Sequence, residues 1–500
     1  MDIFANLLHG FAIAASPLNL FFCLIGALLG TLIGVLPGIG PVATIAMLLP
    51  ITFNLEPVSA LIMLAGIFYG AQYGGSTTAI LVNMPGEASS VVTAIDGYQM
   101  ARRGRAGPAL AIAAIGSFIA GSFATILVAV LGAPLTRAAQ QFGPAEYFSL
   151  MVLGLIAAIV LASGSVIKAI GMVFLGLLLG TVGTDIETGQ ERMTFGIPEL
   201  SDGIGFVTIA MGVFGIAEIL KNLEQTLSRT VLNQKITGLM PTLRDMKEAA
   251  PAIGRGTVLG SILGVLPGGG ATLSAFAAYS LEKKVSKNKA EFGRGAIAGV
   301  AAPESANNAG AQTSFIPLLT LGIPPNAVMA LMVGALTIHG ITPGPQVMTK
   351  QPDLFWGLIA SMWIGNVMLV IINLPLVGLW VKLLQVPYRL LFPAILLFCG
   401  IGVYSLNNSA FDIFAVAAFG LFGYVLLKFG FEGAPLLLGF VLSPLLEENL
   451  RRALRLSRGD PWVFLERPIS ATLLAVCVLL LVIVLLPSIR SKREEVFKEE

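Results

Sequence analysis

The strongest constraint on this chain is where charge is missing. Residues 3–55 contain no Asp, Glu, Lys or Arg. Neither do 57–86, 106–136, 147–167, 169–184, 256–281, 305–349, 354–381, 390–411 and 468–489. A helix that crosses a bilayer needs about 20 apolar residues. Most of these gaps therefore hold one crossing, and the longest hold two or a helical hairpin. Composition agrees, with 12% charged and 56% hydrophobic residues and a mean hydropathy of +0.86. Soluble domains carry about 25% charge, and half that cannot coat a 500-residue globule. A soluble enzyme, a disordered protein and a nucleic-acid binder are excluded. The expected fold is an all-α polytopic membrane protein with about 11–13 membrane segments and lipid around it.

Other totals narrow the chemistry. No GxxxxGK[ST] occurs, so this chain hydrolyses no nucleotide through a P-loop of its own. His9 and His339 are the only histidines, and Cys23, Cys399 and Cys477 lie singly in apolar runs. Neither a metal cluster nor a nucleophile–base pair is expected from them, so no cofactor and no enzyme activity are expected. Asp2 and His9 are the only ionisable side chains before Glu56, which gives no basic start to a cleavable leader.

Loop charge sets an expected orientation. Arg102, Arg103 and Arg105, the 221–255 stretch, and Lys283 to Arg294 are basic and read as cytoplasmic. Residues 50–56 and 341–353 are nearly free of Lys and Arg, and 185–202 is acidic with Arg192 its one basic residue. These read as outside. Basic clusters flank the last segment on both sides, at Arg451–Arg467 and Arg490–Lys498, so its direction stays open.

An internal repeat is plain. Gly30, Gly34, Val35, Leu36, Pro37, Gly38 and Gly40 recur 230 residues later as Gly260, Gly264, Val265, Leu266, Pro267, Gly268 and Gly270. A weaker pair follows: Gly74–Gly86 (GGSTTAILVNMPG) and Gly310–Pro325 (GAQTSFIPLLTLGIPP). Each half thus has two elements expected to be interrupted. The stretch after the first Pro-Gly break is neutral at 51–55 but basic at 282–294 in the second copy; the weaker pair reverses this. Equivalent points on opposite sides mark inverted-topology repeats, as in many secondary transporters. The expected division is 1–220 and 256–450 as repeats, 221–255 as a basic linker, and 451–500 as a last segment and tail.

The breaks are the expected binding site. At Pro37, Gly38, Gly40 and at Pro267, Gly268, Gly270, glycine permits close backbone approach, and a helix starting after the tip turns a positive dipole end toward an anion. Thr44, Thr272 and Ser274 follow the tips with hydroxyls. Gly75, Ser76 and Thr77 add small and hydroxyl groups. The alternative for both features is helix packing through small residues, with hydroxyls bonded to carbonyls one turn back. Glu304, Asn307 and Asn308 border the uncharged 305–349 stretch, and unpaired burial there would cost several kcal/mol. Their oxygens suit a hard cation, with Asn307 and Asn308 also able to meet substrate. Helix capping or interhelical hydrogen bonding is the alternative. Glu87, after Pro85-Gly86, sits at a cytoplasmic end where solvent can carry its charge, so it is left out of the site.

The motifs also resemble a known family. The duplicated Gly-x-Leu-Pro-Gly-x-Gly pattern, Tyr69–Gly75 (YGAQYGG), Asn83–Glu87 (NMPGE), Ala302–Ala309 (APESANNA), Leu321–Pro324 and Pro343–Pro345 are similar to the large membrane subunit of tripartite tricarboxylate transporters. The similarity spans about residues 10–450. It implies a multi-pass permease of the bacterial inner membrane for citrate-like carboxylates, with Asn83 among the substrate contacts. It implies two partners, a small four-helix membrane subunit and a periplasmic solute-binding protein, and symport with Na⁺ or H⁺. A transporter or channel for another small organic anion, and an intramembrane enzyme, are the rival classes.

Overall fold

A computed structural model describes residues 3–36, 40–162, 165–185, 187–224, 238–266, 270–383 and 388–485. Pro37, Gly38, Pro267 and Gly268, much of the basic linker and the end of the tail lie outside the described residues. The described part is a bundle of helices. Six are long and apolar enough to cross a membrane: Pro17–Val35, Pro57–Val82, Ala106–Ala139, Phe206–Glu224, Pro352–Asn373 and Ala410–Lys428. Shorter apolar helices include Ile3–Ala14, Pro41–Thr52, Val166–Gly180 and Ala327–Ile338. One small hairpin pairs Gly183 with Arg192 and Thr184 with Glu191. The chain is an all-α multi-pass membrane protein.

The bundle is arranged inside out compared with a soluble protein. Its centre is the polar helix Ala298–Thr313, every residue of which is buried, beside Pro57–Val82, buried from Ser59 onward. Peripheral helices expose apolar side chains instead, such as Phe414 and Leu421 on Ala410–Lys428 and Val478 on Pro468–Leu485. Lipid is the solvent that such surfaces fit.

The repeated motif is a repeated contact in space. Helix Pro17–Val35 runs beside Pro57–Val82 with both chains pointing the same way. A Cβ added to Gly26, Gly30 or Gly34 would lie 2.3 Å from the carbonyl oxygen of Met63, Ile67 or Ala71. Helix Leu243–Val265 runs likewise beside Ala298–Thr313. There a Cβ on Gly256, Gly260 or Gly264 would lie 2.3 Å from the carbonyl oxygen of Ala302, Ala306 or Gly310. Glycine every fourth residue puts a bare backbone strip along one helix face. The small-residue packing reading thus holds for these glycines.

Both helices break where the sequence repeats. The first stops at Val35 and the chain resumes as helix at Pro41; the second stops at Val265 and resumes at Gly270. Leu36 and Leu266 are extended. A broken helix leaves carbonyls without partners, and the neighbouring helix supplies donors. Thr78 Oγ1 donates to Val35 O at 2.8 Å, and Ser314 Oγ donates to Gly264 O at 3.2 Å.

Contacts group the loops at two ends of the bundle. His9 Nε2 meets Asp353 Oδ1 at 2.8 Å, and Ser59 Oγ donates to Asn19 Oδ1 at 2.6 Å. At the far end of Pro57–Val82, about 39 Å long, Arg105 Nη2 donates to Asp245 Oδ1 at 2.5 Å. There the amides of Gly293, Gly295 and Ala296 donate to Asp96 Oδ1 at 2.8–2.9 Å, and Arg255 grips Glu282. Each broken hairpin therefore starts and finishes at one end, and the two hairpins use opposite ends.

One expectation is corrected. The 74–78 segment is not interrupted: Pro57–Val82 passes through it as continuous helix. Its hydroxyls bond one turn back, Ser76 to Gln72 O and Thr77 to Tyr73 O. The break comes later, at Asn83, which closes the helix in the left-handed conformation with φ 57°. In the second half the matching break follows Gly322, φ 76°, and Asn326 caps the next helix.

Candidate functional site

Glu304 lies at the centre of the bundle, on the fully buried Ala298–Thr313 helix. Its Oε2 accepts a hydrogen bond from Ser76 Oγ at 2.7 Å, and its Oε1 accepts one from Thr93 Oγ1. Ser76 belongs to Pro57–Val82 and Thr93 to Val91–Arg102, so one carboxylate joins three helices. Asn307 and Asn308 follow on the same helix. Asn308 Nδ2 donates to Ser117 Oγ at 2.6 Å and to Glu304 O at 3.1 Å. Asn307 Nδ2 donates to Glu87 Oε1 at 3.1 Å.

That last contact corrects the reading of Glu87. It is buried, with 9% exposure. The Pro85-Gly86 turn folds the chain back onto two glycines. A Cβ on Gly86 would lie 1.9 Å from Gly34 O and 2.6 Å from Gly75 Cα, and one on Gly75 would lie 2.9 Å from Glu87 Cγ. Only bare backbone at all three positions lets Glu87 reach the centre. Ser89 Oγ completes its partners by donating to Oε1. Sequence reading missed this residue because solvent exposure was inferred from nearby basic loops; Gly75 and Gly86 were the available signal.

On the central helices and their neighbours many buried polar atoms have no hydrogen-bond partner among the described residues. Tyr69 Oη, both side-chain polar atoms of Gln72, Tyr73 Oη, Ser305 Oγ, Asn307 Oδ1, Gln312 Nε2 and both polar atoms of Asn366 are buried and unpaired. Buried polar groups in native proteins nearly always have partners. A run of unpaired ones in a membrane interior suits a path or site for water, ions or a polar solute. A narrow pocket opens here between Tyr73, Ser76, Thr77, Ser117, Glu304 and Asn373. It has room for a body the size of a water or a bare ion, not for a citrate-sized anion.

The other expected site residues take matched positions near the tips. Gly40 is the N-cap of the first return helix and Gly270 begins the second. Thr44 Oγ1 donates to Gly40 O at 3.0 Å, and Ser274 Oγ, its equivalent 230 residues on, donates to Gly270 O at 2.7 Å. Thr272 and Asn83 are exposed. Asn326, which sequence reading did not single out, reaches the second tip. Its Nδ2 donates to Ser314 Oγ at 3.1 Å and lies 3.4 Å from a Cβ placed on Gly270. The structure thus gathers Gly75, Ser76, Glu304, Asn307 and Asn308 in one centre. Thr44 stays with the first hairpin and Ser274 with the second.

Two relatives are similar to this chain over long stretches. It is 63% identical over its full 500 residues, and over the whole of the relative, to an "Uncharacterized 52.8 kDa protein in TAR-I ttuC' 3'region" of Agrobacterium vitis. It is 66% identical over 241 residues, 48% of this chain, to the whole of an "Uncharacterized protein in TAR-II ttuC' 3'region" of the same organism. No solved structure gives a significant match. The model of the tripartite tricarboxylate transporter TctA family matches residues 20–438. That span takes in both glycine-lined broken hairpins, the Glu87 turn and the Glu304 helix, and the chain belongs to this family.

Proposed function

We propose that this chain is the permease subunit that moves citrate-like tricarboxylates or related carboxylates across the bacterial inner membrane. It works as a symporter driven by a cation gradient, without ATP hydrolysis of its own. A periplasmic solute-binding protein delivers the substrate, and a small four-helix membrane subunit completes the complex.

The observation that carries this reading is the placement of two broken hairpins, entering from opposite ends, beside one buried polar centre. Opposite entry of matched elements supports two inverted repeats, and substrate sites in such folds lie between the repeats. The return helices starting at Pro41 and Gly270 turn their positive N-terminal ends toward the tips, which favours carboxylate groups there. The pocket is too small for the substrate in this conformation, so binding requires a hairpin to move.

Uptake of labelled di- and tricarboxylates into proteoliposomes, with both partners and with or without a Na⁺ or pH gradient, tests the proposal. Saturable, gradient-driven uptake that needs the binding protein is the expected result. Non-saturable flux that persists without a gradient or partner would favour a channel and overturn it.

A further inference from the structure

Glu87 and Glu304 raise a charge problem that the permease reading does not resolve. Both are buried among helices of a membrane protein. Among the described residues no Lys, Arg or His forms an ion pair with either. Two buried carboxylates without a countercharge are strongly unfavourable. A bound cation or a proton has to offset that charge.

The surroundings indicate what it is. Glu304 and Asn307 are three residues apart on one helix and so share a face. Asn307 uses its amide nitrogen on Glu87, which ties the two carboxylates into one cluster. Its Oδ1 is left buried and unpaired. Every other group on the carboxylates is a hydroxyl: Ser76 and Thr93 on Glu304, Ser89 on Glu87. On the Glu304 side of the cluster a pocket lined also by Tyr73, whose Oη is buried and unpaired, accommodates an ion-sized body. Carboxylate, amide and hydroxyl oxygens with no nitrogen or sulfur ligand form the donor set of a hard cation.

We infer that Glu87 and Glu304, bridged by Asn307, form a single Na⁺ site. Glu87 comes from the turn after the Pro57–Val82 helix and Glu304 from the second half, so the ion neutralises a pair contributed by both halves. This rests on the permease reading in one respect: it makes the site the place where the driving ion binds. The ion would tie the Glu87 turn, which packs against Gly34 next to the first tip, to the Ala298–Thr313 helix, which packs against Gly264 next to the second.

The test uses the purified full chain without carboxylate or partner proteins, so its outcome is independent of whether the chain transports citrate. Thermal unfolding and ²²Na⁺ binding are followed while Na⁺ replaces choline at constant ionic strength. Na⁺ is expected to raise Tm saturably where K⁺ and choline do not. Glu87→Gln and Glu304→Gln are each expected to raise the half-saturating Na⁺ concentration about tenfold or more. Thr93→Ala, which keeps both carboxylates, covers the case in which a glutamate variant fails to fold, and is expected to weaken Na⁺ binding while leaving the fold intact. No saturable Na⁺ effect on the folded wild type would overturn the inference, and so would Na⁺ binding unchanged by these variants. A Tm that responds to pH and not to Na⁺ would assign the positive charge to a proton instead and likewise overturn it.

Discussion

Ser76 Oγ and Glu304 Oε2, 228 positions apart in sequence, are joined by a 2.7 Å hydrogen bond at the centre of the bundle. The bond fastens the Pro57–Val82 helix to the Ala298–Thr313 helix at a buried point. Ser76→Ala removes one of the hydroxyl donors on the Glu304 carboxyl group and puts no polar atom in its place. The expected cost is about 1–3 kcal/mol, seen as a lower Tm. Ser76→Thr keeps the hydroxyl and is expected to recover part of that loss. Equal Tm values for Ser76→Ala and wild type would show that the bond contributes nothing.

The glycine strips make a sharper prediction. A side chain at Gly30 or Gly260 would collide with backbone, at 2.3 Å from Ile67 O and Ala306 O. Backbone of a packed helix cannot rotate away as a side-chain end can. Gly30→Val and Gly260→Val are each expected to cost about 3 kcal/mol or more, at or above the upper end for overpacking. Gly171, in helix Val166–Gly180, has nothing within 4 Å of an added Cβ. Gly171→Ala is therefore expected to be neutral or slightly stabilising. Expression level and Tm of the three variants provide the comparison.

How legible the site was depends on how local its causes are. The helix breaks around 36–40 and 266–270 were readable because Pro and Gly act on the chain where they stand. Glu304 was readable as a buried acid because no soluble surface could be assigned to the 305–349 stretch. Glu87 was not, because its burial depends on a turn packing against Gly34 and Gly75 in another part of the chain. Asp96 was passed over for a similar reason. It looks like one more polar loop residue, yet it is fully buried and gathers three loop amides and the Tyr279 hydroxyl. Ser76 and Thr77 showed their chemistry but not their backbone state, since small polar residues fit both a break and a close helix contact.

Side-chain pairs place the first of the two basic clusters beside the acidic loop. Arg451 bonds Asp185 and Glu187, Arg455 meets Glu187, and Arg192 donates to Glu447. The 451–458 stretch therefore shares an end of the bundle with the acidic 185–202 loop. Lys428, by contrast, pairs with Glu224 next to the basic linker. The arginines at 451 and 455 are matched by carboxylates, so they present little free positive charge. Single cysteines at Thr188 and Ser457 are expected to react with a membrane-impermeant maleimide from the same side. A cysteine at Lys247 is expected to react only from the other. Labelling of all three from one side would contradict this arrangement.

The same ion-pair group gives an acid-sensitive contact. Arg451 hydrogen bonds hold the Asp185 carboxyl well below the usual carboxylate range, helped by the Glu187 amide. A carboxylate with a depressed pKa in the folded state stabilises the fold above its unfolded pKa, about 3.9. That contribution falls away as pH drops through the folded value. Asp185→Asn removes the titrating group and is expected to lower Tm by a constant amount between about pH 5 and 8. Below about pH 4 the gap between wild type and variant should narrow, because the unfolded wild-type chain then takes up a proton that the folded one does not, until the contact itself is lost at the folded value. High salt should shrink the gap at neutral pH as well, since the arginine side of the network is partly exposed. A gap that widens in acid would mean that Asp185 is stabilised in its neutral form, the opposite of what its bonds to Arg451 dictate.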